Sequence, residues 1–74
     1  MNKERRKRIS DAISAISKIE SIIQNILDDE EEAYENMLEG VKISENGMVS
    51  EEAQENLDSA IEALEEAISY LEEI

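Results

Sequence analysis

The sequence predicts an all-α protein: an antiparallel two-helix hairpin, coiled-coil-like, expected to dimerise into a four-helix bundle. Three observations predict it. Apolar residues recur at alternating spacings of three and four through two long stretches. The chain contains no Pro, so nothing in either stretch breaks the backbone hydrogen-bond ladder. Its only two Gly, Gly40 and Gly47, lie together between the stretches.

The first stretch is predicted as one helix over about 3–38. With Ile9 as heptad position a, the a series is Ile9, Ile16, Ile23, Glu30 and Met37, and the d series is Ala12, Ile19, Ile26 and Ala33. Ile13, Leu27 and Tyr34 widen the stripe on one side, with Glu20 polar among them. Ala15 and Ile22 widen it on the other. The heptad phase runs unbroken through the acidic residues 28–32, which favours one continuous helix. The competing reading starts a new helix there, with Asp28 as N-cap and Glu31 as its capping-box partner.

A turn is expected over about 39–46. Gly40 suits the left-handed residue that ends a helix, and Val41 and Ile43 are placed to pin the turn onto the bundle end. Ser44 or Ser50 can cap the second helix, predicted over about 47–73. Its stripe runs Ala53, Leu57, Ala60, Ile61, Leu64, Ala67, Ile68, Leu71, Ile74, and "LDSAI" at 57–61 recurs as "LEEAI" at 64–68. Ala at alternate core positions admits the Ile side chains of the first helix.

A short connection between long helices makes an antiparallel pair. With Leu38 near Met48, facing residue numbers sum to about 86 and Ile74 falls beside Ala12. Helix 1 then overhangs helix 2 by roughly two turns. Ile9 and part of Ile13 lack cover from their own chain. The residues expected to meet a second copy are therefore Ile9, Ile13, Ile16, Ile22 and Ile23.

Composition bounds the rest. Seventy-four residues form one small domain, whose core rarely supplies more than ~3–5 kcal/mol. There is no Cys to form disulfides and no His to bind a transition metal, so association with a partner is the expected staple, most simply a homodimer. The lack of His and Cys also removes Ser–His and Cys–His nucleophile pairs and the ordinary zinc sites. No Walker or G-x-G-x-x-G loop is present. Ser14, Ser17 and Lys18 share a helix surface, which is weak ground for a Ser–Lys nucleophile. The expectation is a non-enzymatic protein without cofactor or catalytic residue.

Charge is uneven. Residues 1–8 hold Lys3, Arg5, Arg6, Lys7 and Arg8 against Glu4, a net +4, while residues 9–74 hold two bases and 19 acids, a net -17. Such a field repels nucleic acid and anionic membranes and attracts basic proteins. "DDEEE" at 28–32 lacks the spacing and mid-loop Gly of a calcium loop, and a straight helix splays it around its circumference. It reads first as a solvated face. The sharper reading makes Asp28, Asp29, Glu31, Glu32 and Glu35 a contact surface that imitates a phosphate backbone.

The basic cluster has three readings. One is a nucleic-acid arm, which lacks interleaved aromatics. Another is simple solvation with Glu4–Arg8 and Lys7–Asp11 as i,i+4 pairs. The favoured one is pairing of Lys7 and Arg8 with Glu72 and Glu73, since each group sits at the helix end its macrodipole disfavours. No apolar run approaches a membrane span, and the chain reads as mature and intracellular.

The segments "MNKERRKRI", "DEEEAYENMLEG", "SENG" and "EEAQENLDSAIEALEEAISYLEEI" resemble a group of small acidic helical proteins of phages and prophages of Gram-positive bacteria, over nearly the full length. In that group Pro often stands where this chain has Leu38, a departure expected to extend helix 1. The resemblance implies a mobile-element setting in the cytoplasm of a bacterial host. By analogy it implies contact with a basic host or defence protein, such as a CRISPR effector or restriction enzyme. The group carries no known functional residues. Two alternatives remain: a structural assembly coiled coil of a phage particle or complex, and nucleic-acid binding through the basic N-terminus.

Overall fold

The computed structural model describes residues 1–74. It is all-helical: α1 spans Lys3–Glu35, a single-turn α2 spans Glu39–Lys42, and α3 spans Glu45–Glu72. The two long helices lie against each other along most of their length, and α2 packs on the start of α3. Tyr34 meets Glu51 and Glu20 meets Glu65, so the pair is antiparallel and facing residue numbers sum to 85. At the far end Ile9 and Ile13 share a cleft with Leu71 and Ile74. The register expected from the sequence is one residue away.

α1 begins at Asn2, whose side chain accepts the Arg5 backbone N–H at 2.8 Å. That cap satisfies one of the donors a helix start leaves free. The helix then runs through 28–32 without a break, so Asp28 is not an N-cap. Its end differs from the prediction. α1 stops at Glu35, with Asn36 as C-cap, three residues before the expected Leu38. Leu38 does not extend the helix. Its backbone is extended at φ -65, ψ 150, and it begins α2 instead. That φ is the angle a Pro would fix.

Gly40 does not end a helix in the left-handed conformation. It sits inside α2, and no residue of the chain has a positive φ. Val41 and Ile43 do not pin the turn either: Ile43 is 82% exposed. The turn is held by Gly47, which is buried where α3 crosses the end of α2. A side-chain carbon there would overlap the Lys42 carbonyl group. α3 starts at Glu45, two residues earlier than predicted. Ser44 occupies its N-cap position without a side-chain cap bond, and the Ser44 hydroxyl donates to the Val41 carbonyl. Ser50 lies six residues further in, buried, accepting Gln54 Nε2 at 3.3 Å.

The molecule measures 58 × 15 × 12 Å. A helix with side chains is about 10–12 Å across, so the rod is one helix thick. Each helix can bury only the stripe that faces its neighbour. Only Leu27, Gly47, Ser50 and Ile61 are buried, and no large side chain is fully enclosed. No helix is long and apolar enough to cross a membrane.

Candidate functional site

The seam between α1 and α3 is lined from the α1 side by Ile9, Ile13, Ile16, Glu20, Ile23, Leu27, Glu30 and Tyr34, with Met37 just past the helix end, all at least half-buried. These are the a positions and one flank of the stripe. The d positions and the other flank face away. Ile19, Ile22 and Ile26 are 48%, 59% and 49% exposed, and Ala12, Ala15 and Ala33 are exposed with them. Of the five residues expected to meet a second copy, Ile9, Ile13, Ile16 and Ile23 are half-buried in the chain's own seam and Ile22 is exposed.

The acidic segment is exposed throughout at Asp28, Asp29, Glu31, Glu32 and Glu35. Two of these carboxylates have partners. Gln24 donates to Asp28 at 2.9 Å, and Lys42 lies 4.0 Å from Glu35 and 3.8 Å from Glu39. Asp29, Glu31 and Glu32 have none. The helix spreads the run around its axis, and no three carboxylates converge closely enough to hold a cation. Glu30, at an a position, is half-buried in the seam.

Sequence reasoning missed the polar cluster at the turn end. The Tyr34 hydroxyl donates to Glu51, and the Lys42 ammonium lies 5.4 Å from the centre of the Tyr34 ring. The Glu51 hydrogen bond, followed by loss of water and the negative charges of Glu51, Glu35 and Glu39, raises the Tyr34 pKa. Lys42 is the one base in the chain's last 56 residues, and Tyr34 is the one aromatic in the α1 stripe. Both facts are visible in the sequence, but the short α2 that brings them together is not.

A second carboxylate contact lies mid-seam. Glu20 is half-buried opposite Glu65. Loss of water, then the shared hydrogen bond with Glu65 and its charge, hold the Glu20 carboxyl above the ordinary carboxylate range.

The basic segment is exposed, and the expected pairing of Lys7 and Arg8 with Glu72 and Glu73 is absent. Lys7 pairs instead with Asp11 at 3.1 Å, both side chains well exposed. Glu4 and Arg8 form no ion pair. Arg6 is the base that shares a cleft with Glu72. The reason is geometric: Lys7 and Arg8 lie on turns beyond the end of α3, and their helix positions point away from it. An exposed i,i+4 pair contributes about 0.3–0.5 kcal/mol, so the cluster adds little to the stability of its own chain.

No family model matches the chain, and neither does any curated protein or solved structure.

Proposed function

We propose that this protein is a non-enzymatic, phage-type accessory protein that acts by protein–protein contact. It inhibits a basic, nucleic-acid-binding host or defence protein through its acidic helical surface, in the cytoplasm of the bacterial host. It works as a homodimer whose hairpins close into a four-helix bundle. The observation that carries this reading is the exposure of Asp28, Asp29, Glu31, Glu32 and Glu35 along one long helix of a 58 Å rod. Residues rise ~1.5 Å along a helix, close to the ~1.7 Å of axis per phosphate charge in duplex DNA. A run of carboxylates on such a rod offers a basic groove a similar charge density. CRISPR effectors and restriction enzymes have grooves of that kind.

The test is a pull-down from bacterial host lysates with the full chain as bait, at low and high salt. A captured basic protein should be released by salt, and lost when the five acids are changed to Asn and Gln. Capture of nothing across several hosts, or capture indifferent to those changes, contradicts the reading.

A second reading is a structural assembly coiled coil, favoured by the exposed Ile19, Ile22 and Ile26. It expects assembly without any host protein, unchanged by substitution of Asp28, Glu31, Glu32 and Glu35. Nucleic-acid binding through Lys3–Arg8 is the third. A gel shift at low salt with micromolar protein separates it from the other two.

A further inference from the structure

The exposed apolar residues of α1 are not scattered. Ala12, Ala15, Ile19, Ile22 and Ile26 follow spacings of three, four, three and four, which is a coiled-coil seam. It runs about 100° around α1 from the seam used by α3, the angle between two neighbours in a four-helix bundle. The exposed large apolar residues of α3 and its end, Met48, Val49, Tyr70 and Ile74, form no such line.

We infer that this stripe is the homodimer interface, and that two copies pack α1 against α1 in antiparallel orientation. The inference deepens the self-association proposed above by naming its face and direction. In an antiparallel pair each residue at one seam position faces the alternate position of the other copy. The register that sets Ala15 against Ile19 also sets Ala12 against Ile22. Every small residue then meets a large one, on both sides of the two-fold axis. Continued outward, the same stripe reaches Arg8 and Arg5 at one end and Asp29 at the other, all exposed. Arg8 falls beside Ile26, where its aliphatic stem can lie, and Arg5 falls opposite Asp29.

Charge selects both the direction and the occupant. Residues 3–8 carry a net +4, and residues 28–31 carry four acids and no base. Antiparallel packing lays the first over the second twice in each dimer. Parallel packing sets Arg5 and Arg8 against their own copies and Asp29 against Asp29. The basic segment, unpaired with its own α3, is matched by a second copy of this chain. Asp28, Glu31, Glu32 and Glu35 lie off the stripe and stay turned outward.

Because the chain has no Cys, single cysteines report the geometry without interference. Ala12→Cys and Ile22→Cys are prepared separately, and their solution masses are measured by sedimentation equilibrium before oxidation. Both should form dimers of twice the 8.4 kDa chain. Mild oxidation of the mixture should then yield a disulfide-linked dimer. Either variant alone should not, since like positions lie ~15 Å apart in this register, beyond the ~7 Å limit for a disulfide. Cross-linking of Ala12→Cys with itself, or a dimer whose mixture fails to cross-link, overturns the face and direction while leaving self-association standing. A monomeric mass at every concentration overturns both, and leaves the acidic contact with a host protein to its own pull-down. As a check free of disulfide geometry, Arg5→Glu should weaken the dimer at low salt at least tenfold. Adding Asp29→Arg should restore it, and failure to restore overturns the register.

Discussion

The two glycines of this chain look alike in sequence and differ in what they do. Gly47 lies under the Lys42 carbonyl, so Gly47→Ala must push α2 and α3 apart. Overpacking of this kind costs about 1–3 kcal/mol, a large share of what so small a core supplies. Gly40 has open space around it and helical backbone, so Gly40→Ala should stabilise by about 0.5–1 kcal/mol. Thermal unfolding of the two variants should move in opposite directions; a fall in both would refute this reading of the turn. Glu20 makes a separate prediction. Its folded-state pKa is raised, so the folded chain holds the proton more tightly than the unfolded one. The associated stability is fully present below the unfolded value and is lost as pH rises through the folded one. The protein should therefore be more stable at pH 5 than at pH 7. Glu20→Gln should raise the unfolding midpoint at pH 7 and narrow the difference between the two pH values. An unchanged difference would show that Glu20 faces Glu65 without consequence.

At the scale of elements, α1 and α3 were legible and their junction was not. The apolar period set both helices and their antiparallel register to within a residue, because a seam of Ile and Leu against Ala has few ways to align. The break at Asn36–Leu38 left no apolar signal: it rests on one extended residue and on Gly47 fitting beneath Lys42. Tyr34, Lys42 and Glu51 were hidden for the same reason. The α1 stripe was legible as broad, but breadth alone does not say which part faces α3. Both halves carry Ile, and only the structure divides them into an inner seam and an outer one. Leu27 and Ile61, the two buried apolar side chains, anchor the inner seam. Leu27→Ala should cost about 2–3 kcal/mol and leave the isolated hairpin largely unfolded at room temperature, read by circular dichroism. Ile22→Glu, on the exposed stripe, should lose the dimer and give the hairpin the helicity that the parent chain shows as a monomer at low concentration. If Ile22→Glu unfolds the hairpin at low concentration, where the parent chain is folded and monomeric, or leaves the dimer intact, the assignment of the two seams is wrong.

The whole molecule is a rod one helix thick, with four buried residues in 74 and a net charge of -13. Its own contacts place it at the margin of stability, and its self-repulsion pushes it further toward that margin. In the proposed dimer, a second copy laid along α1 would cover the outer Ile residues and bring the basic end of each chain over the acidic run of the other. Folding and association are then linked by mass action, because the dimer binds folded chains alone. The most direct measurement is the thermal midpoint of the unmodified protein as a function of its concentration, from one to several hundred micromolar at low salt. The midpoint should climb steadily over that range. A midpoint independent of concentration would show a hairpin that stands alone and would contradict the account.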